Sequence, residues 1–353
     1  MTIQSIIQSI SDKRISTYKK SHFKEDDIQS VGGYLWNKLL CANLLPPLQL
    51  IEVSLRNALY YGYINNQIQQ LMSEGKTEDE AKQEVDLFWF KTEALKVTSR
   101  PESKRHIDMA EHQLNKDNKA ITPDNLISKL PLGFWVSFCR PAYSVNQEVN
   151  IKLWPTIRNN VFPNAKKENG NALSISEIGN KLTYINSIRN RLAHHEPIWN
   201  DKNHYSIENS INKIARIYFD CLTVINWIND SNSKVIRLIE NDIKYAELCI
   251  LKEVERYKSL PQDIDKVDKI DAAKWFSNVE VQSRHDGVIT YKNTQRNFVI
   301  IKSSKNNADF YAAKNKLPNN RLLDEGTPVN FEPMSALPGQ PRARANKVRE
   351  GHL

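Results

Sequence analysis

The densest group of side chains able to carry out proton transfer lies in residues 184–199, YINSIRNRLAHHEPIW. Two adjacent histidines, His194 and His195, follow Arg189 and Asn190 in this segment. An imidazole both accepts and donates a proton near pH 7, and a guanidinium binds phosphate through two N–H groups while keeping its charge. Together these groups suit attack of an RNA 2′-hydroxyl on its neighbouring phosphate, without a metal ion.

The same residue types leave a structural interpretation open. In that interpretation Arg189 pairs with a carboxylate, and the two histidines cap the C-terminus of a helix, where cations are favoured. Arg191, which shares one side of a regular helix with His195, and Glu196 are either auxiliary groups or plain surface residues.

Helical geometry constrains how these residues meet. Asn190 and His194 are four residues apart and share one side of a helix, but Arg189 and His194 are five apart and diverge by about 140°. Pro197 disfavours helical geometry at the residue before it, so we expect the helix to end there. Either the last turn is distorted, or a second copy of the motif completes the site.

A second charged pair, Glu52 and Arg56, lies in the segment IEVSLRN. Their spacing of four residues favours an ion pair within one helix. The alternative is a supporting role, in which Arg56 holds RNA or Glu52 orients Arg189.

Residues 1–260 are expected to be helical. The segment 43–47, which ends in two prolines, is expected to break the chain before an amphipathic helix that starts at Leu48. Thr122-Pro-Asp is typical of a helix start. The other expected helices cover residues 77–90, 174 or 176 to 195, 205–227 and 233–260.

Residues 261–284 are expected to be a charged linker, and residues 285–353 a small all-β barrel. Short β-branched or aromatic runs separated by Asn, Gly, Pro and Lys predict its strands. Aromatic residues alternate there with cations, a pattern that suits stacking of single-stranded bases: Tyr291, Lys292, Arg296, Phe298, Phe310 and Tyr311. Phe310 and Tyr311 must face opposite sides of a strand, so alternation buries at most one of them.

Composition and charge exclude several classes of protein. The chain has 353 residues and a net charge of +8, of which +6 lies in residues 284–353. No apolar run is long enough to cross a bilayer, the N-terminus lacks the features of a signal peptide, and four scattered cysteines suit a reducing cytoplasm. Metal-binding and nucleotide-binding motifs are absent from the sequence, so we expect no metal and no cofactor.

The string RNRLAHHEPIW resembles the Abi-like (abortive infection) branch of the HEPN superfamily, whose signature is an arginine followed by a histidine. Residues 34–59 and 126–138 agree with this resemblance, which covers roughly residues 10–250. It implies a metal-independent endoribonuclease that is generally dimeric. Arg189 and His194 would be the catalytic pair, with Asn190 beside the arginine and His195 able to replace His194.

The last seventy residues resemble a cold-shock domain, an OB-fold barrel. Tyr291 lies where that family has a stacking tryptophan, and Phe298 and Phe310 are retained, but Ile300, Ala312 and Ala313 replace residues that are usually aromatic or histidine. RNA binding by this face is therefore expected to be weakened, and a protein-binding barrel is the alternative.

The sequence thus predicts a cytoplasmic, homodimeric ribonuclease, a toxin or antiphage effector, that leaves 2′,3′-cyclic phosphate ends on RNA recruited by its barrel. Two alternatives are a non-catalytic RNA-binding protein in complex with a specific small RNA and a transcription-linked regulator acting on single-stranded DNA.

Overall fold

The computed structural model describes residues 2–19, 22–23, 26–96, 101–144, 153–200, 206–276, 284–337 and 341–351. The chain divides into two compact units, Met1–Lys266 and Val267–Leu353. The division falls inside the predicted linker 261–284. The first unit is helical and the second contains a closed β-barrel, as the fold class predicted.

The helical unit is built around one very long helix, α3, whose apolar residues run through the main core. The helices of this unit are α1 (Thr2–Ile10), α2 (Asp12–Lys19), α3 (Asp27–Ser73), α4 (Glu78–Glu84), α5 (Trp89–Lys96), α6 (Pro101–Lys116), α7 (Pro123–Lys129), α8 (Leu132–Phe138), α9 (Arg158–Val161), α10 (Ile175–Ala193), α11 (Ile207–Ile228), α12 (Ser233–Leu238), α13 (Asn241–Leu248) and α14 (Leu251–Ser259). None of the helices in the described residues has the length and apolar character needed to cross a membrane.

The predicted break before Leu48 is wrong, because α3 continues through Pro46 and Pro47. A proline inside a helix has no N–H for the carbonyl four residues earlier. For Pro47 that carbonyl belongs to Asn43, and it accepts a hydrogen bond of 3.0 Å from the side-chain amide of Asn241. A tertiary contact replaces the missing donor there, while buried residues on both sides of the prolines hold the helix in the core.

Other helix ends also differ from expectation. The helix predicted over residues 77–90 starts at a capping box on Thr77 but ends at Glu84, where Asp86 caps a new turn by accepting from the backbone N–H of Phe88. The segment 233–260 forms three helices because Glu240 has a left-handed backbone and Ile250 is extended. Thr122 caps α7 as predicted.

The barrel has the strand order β1-β2-β3-β5-β4. Its strands are β1 (His285–Asn293), β2 (Phe298–Ser303), β3 (Asp309–Ala313), β4 (Pro328–Met334) and β5 (Ala343–Glu350). All pairings are antiparallel except that of β3 with β5. Alternation sends one set of side chains into a small core, and the other set remains on the outer face.

Candidate functional site

Helix α10 carries the arginine–histidine motif and is fixed at its start and along its buried face. Ser174 and Glu177 form a capping box, and Ile185 and Ile188 lie in the core. Gly179 allows close approach to the end of α8, since a Cβ there would lie 2.2 Å from the carbonyl oxygen of Cys139. The motif is therefore presented by a firmly packed helix.

The helix ends earlier than the position of Pro197 predicted. Ala193 is its last residue, His194 is the C-cap, and His195 has a left-handed backbone with φ of 58°. The N–H of His195 donates to Leu192 and that of Glu196 to Arg191, which is the Schellman arrangement. The predicted shared side for Arg191 and His195 is lost, because the chain turns before His195.

Buried residues fix the segment after the turn. Ile198 and Trp199 are fully buried, and Trp199 lies within an aromatic cluster that includes Trp36. The side chain of buried Asn37 accepts from the backbone N–H of Ile198 and donates to the carbonyl of Glu196. The exposed turn is thus held between a packed helix and a packed segment.

The turn opens onto a cleft of about 630 Å³ between α2 and the end of α10. Its charged and titratable groups comprise three cations, two histidines, one tyrosine and one carboxylate. The lining residues are Ser11, Lys13, Arg14, Thr17, Tyr18, Arg191, His194, His195, Glu196, Pro197 and Asn200. Four of the residues singled out in the sequence therefore meet here, and the excess of cations suits a phosphate ligand.

Arg14 contacts the histidine turn directly. Its Nη1 donates to the carbonyl oxygens of His194, at 3.2 Å, and of His195, at 3.0 Å. The imidazoles themselves are exposed. A residue 180 positions away in the chain thereby fixes the backbone that carries both of them.

Arg191 has a structural role within the cleft. Its Nη2 donates to the carbonyls of Pro197 and Asn200, and its Nε lies 3.4 Å from the carboxylate of Glu196. Arg191 and Glu196, which were predicted as auxiliary groups, therefore brace the segment that follows the turn.

Arg189 and Asn190 lie outside the cleft lining. The guanidinium of Arg189 is 3.9 Å from the carboxylate of Glu52 on α3, which is the contact expected if Glu52 orients this arginine. The alternative ion pair of Glu52 with Arg56 is not found within the described part of the chain. The Nε of Arg56 is buried and has no hydrogen-bond partner among the described residues. One protomer therefore does not place Arg189 in the same cleft as His194.

Among the titratable side chains that line the cleft, the Tyr18 phenol is excluded as a base at neutral pH. Burial, with a smaller contribution from Cys41, raises the pKa of the Tyr18 phenol far above neutrality. Tyr18 therefore stays protonated and cannot serve as a base. No group of three potential metal ligands is found within the described residues.

The barrel presents a row of aromatic side chains on its outer face. The ring centroids of Tyr291 and Phe298 are 6.0 Å apart, and those of Phe298 and Tyr311 are 5.1 Å apart. Tyr291 is 48% exposed, whereas Phe310 is 5% exposed and belongs to the barrel core. Phe310 is consequently unavailable for base stacking, which corrects its placement among the predicted RNA-binding residues.

The cations predicted beside this row differ in their surroundings. Lys292 forms an ion pair of 2.7 Å with Asp324, while Arg296 is exposed. A pocket of about 270 Å³ beside Tyr311 adds two cations that the sequence analysis missed, Lys316 and Arg344.

Three further residues of the site, Lys13, Arg14 and Asn37, were not predicted from sequence patterns. Lys13 and Arg14 lie in the first turn of α2, where the helix dipole disfavours cations. Asn37 is a polar residue on the buried face of α3. The sequence signal in each case is a residue type that is unfavourable at its position: cations at a helix start, and a polar side chain on a buried helix face.

Comparison with known proteins supports one relationship. The profile of the Abi-like protein family matches residues 5–200, which include the whole of α2, α3 and α10. No curated protein matches the sequence.

Proposed function

The chain belongs to the Abi-like protein family, which links it to abortive infection, and from this premise we propose that it is a metal-independent endoribonuclease. The observation that carries the proposal is the meeting of His194 and His195 with three cations in one cleft. Paired imidazoles can divide the two proton transfers of RNA cleavage between them.

In the proposed reaction one imidazole takes the proton of an RNA 2′-hydroxyl, and the 2′-oxygen attacks the adjacent phosphorus. The other imidazole gives a proton to the departing 5′-oxygen as its bond to phosphorus breaks. The products are a 2′,3′-cyclic phosphate and a 5′-hydroxyl. Lys13, which lines the same cleft, would attract and hold the phosphate by its charge.

The position of Arg189 supports a second element of the proposal, a homodimer. Because Arg189 lies outside the cleft lining and beside Glu52, we propose that it acts on the scissile phosphate held by a second copy. The pair would then be completed across a dimer, as the sequence resemblance implies.

The barrel is proposed to hold single-stranded RNA. Each stacked base contributes roughly 1–3 kcal/mol, so the row of Tyr291, Phe298 and Tyr311 would suffice for useful affinity. Sequence-tolerant binding of this kind would raise the local concentration of substrate for the helical unit.

The test is cleavage of end-labelled RNA by the full-length protein in EDTA. We expect His194→Ala and His195→Ala each to lose at least about 100-fold in rate, with cyclic phosphate at the product ends. Cleavage that survives both substitutions would refute the assignment, and cleavage abolished by EDTA would refute the metal-independent route.

A mixing experiment tests the dimer. Co-expressed Arg189→Ala and His194→Ala subunits should regain activity, because one of the two composite sites in the heterodimer is intact. Mixed subunits as inactive as each variant alone, or a monomer by light scattering, would contradict a shared site.

The alternative function is RNA binding without cleavage, in complex with a specific small RNA. The ion pair of Arg189 with Glu52 favours it, since that arginine is engaged away from the histidines. RNA that co-purifies intact with the protein, together with no cleavage under any condition above, would support this alternative.

A further inference from the structure

The backbone of His195 is strained. It occupies the position after the helix C-cap where glycine is usual, with φ of 58°. A left-handed conformation costs an L-residue of this kind energy, and such residues persist where their surroundings hold them, often at functional sites. The groups that hold this turn therefore keep His195 in its strained conformation.

On one side the turn is held by the core. Asn37 binds the backbone of Glu196 and Ile198, and Trp199 is buried immediately afterwards. These contacts fix where the segment goes after the turn. They do not reach the carbonyls of the two histidines.

On the other side the turn is held by Arg14. Its guanidinium donates to both histidine carbonyls, and hydrogen bonds from a charged donor are stronger than those between neutral groups. Arg14 is itself held in place, because Ile15 and Tyr18 of the same helix are fully buried. The carbonyl directions fix the peptide planes, and these fix the direction in which each imidazole leaves the backbone.

We propose that Arg14 is a positioning residue, which sets the orientation of His194 and His195 through their own carbonyl groups. This inference rests on the proposed ribonuclease function. Lys13, which neighbours Arg14 and lines the same cleft, makes no contact of this kind among the described residues and provides the matched comparison.

The experiment compares Arg14→Ala, Arg14→Lys and Lys13→Ala in the full-length protein, each checked for folding by thermal denaturation. Arg14→Ala should lower kcat by about 100-fold with little change in KM, since a misplacement of about 1 Å costs that much. Arg14→Lys, which keeps one donor to a carbonyl, should recover part of the loss. Lys13→Ala should raise KM and leave kcat within a few-fold of the wild type.

A second measurement follows the imidazoles themselves by NMR of the histidine ring protons, assigned with His194→Ala and His195→Ala. Arg14→Ala should shift the resonances of both rings, and Lys13→Ala should leave them in place. Equal kcat in Arg14→Ala and the wild type would overturn the proposal. Equal effects of the Arg14 and Lys13 substitutions would overturn it too, because Arg14 would then act only through its charge.

Failure of the proposed function is distinguishable from failure of this inference. If the wild type does not cleave RNA, the ribonuclease assignment is wrong, and the NMR comparison alone supports or overturns the hold of Arg14 on the turn. If the wild type cleaves and Arg14→Ala matches it in rate and spectrum, only the inference about Arg14 is wrong.

Discussion

Replacing His195 by glycine should stabilise the helical unit while it abolishes cleavage. His195 has φ of 58°, a conformation that glycine adopts without steric cost. Its imidazole is exposed and makes no side-chain hydrogen bond within the described part of the chain, so removing it loses little packing. The control is His194→Gly, because His194 has an ordinary φ of −86°.

The size of the effect follows from two opposing contributions. Relief of the left-handed conformation is worth about 1–2 kcal/mol. Glycine lowers the unfolding free energy by about 0.5–1 kcal/mol, because it has more conformational freedom in the unfolded chain. The net gain in unfolding free energy therefore lies between about 0 and 1.5 kcal/mol, which for a unit of this size corresponds to a rise in Tm of up to roughly 6 °C. His194→Gly has only the unfavourable contribution and should lose about 0.5–1 kcal/mol.

Thermal denaturation followed by circular dichroism at 222 nm measures this difference on the helices, and cleavage of labelled RNA measures the cost to function. A His195→Gly protein destabilised as much as His194→Gly would refute the view that this turn stores strain. A His195→Gly protein that is both more stable and fully active would place the chemistry elsewhere.

Three further predictions concern the surroundings of the site, the barrel and the start of α10. Asn37→Leu removes both hydrogen bonds to the segment after the turn and should cost about 1–3 kcal/mol in urea unfolding, because the buried N–H of Ile198 is left without a partner and the half-buried carbonyl of Glu196 loses a donor. Phe298→Ala should weaken binding of a fluorescent single-stranded RNA by about 1–3 kcal/mol in anisotropy, whereas Phe310→Ala should destabilise the barrel by about 3–5 kcal/mol; equal losses of affinity in two folded variants would contradict this. Hydrogen bonds from Ser174 lower the pKa of Glu177 to about 2, so the stability it contributes is present above pH 4.5 and is lost as the pH falls towards 2. Glu177→Gln should therefore show a smaller fall in urea midpoint over that range, and parallel curves would disprove it.

The sequence predicted the elements whose signals are local. Thr77, Thr122 and one of Ser174 and Ser176 were expected at helix starts. In the structure Thr77, Thr122 and Ser174 each cap a helix. A capping side chain bonds to the backbone within three residues, so its pattern is complete in the sequence. The five strands were equally recognisable, because alternation and turn residues repeat over short distances.

The predictions of helix interiors and helix ends were wrong where a residue distant in the sequence contacts the helix. Asn241 replaces the donor that Pro47 lacks, so α3 continues where the local rule predicted a break. At the other end of the motif helix, the chain turns at His195 rather than near Pro197. The burial of Trp199 and the hydrogen bonds of Asn37 and Arg14 hold that turn, and none of them can be read from neighbouring residues.

What the sequence determined by itself was therefore the architecture and the chemical groups: a helical unit, a barrel, and histidines and arginines within one short motif. What only the tertiary structure decided was which of these groups meet. It placed His194 and His195 with Lys13 and Arg14 in one cleft, and it turned Arg189 towards Glu52. The physical reason is range: propensity and capping act within a few residues, whereas a cleft is assembled from helices that pack together across 180 residues of chain.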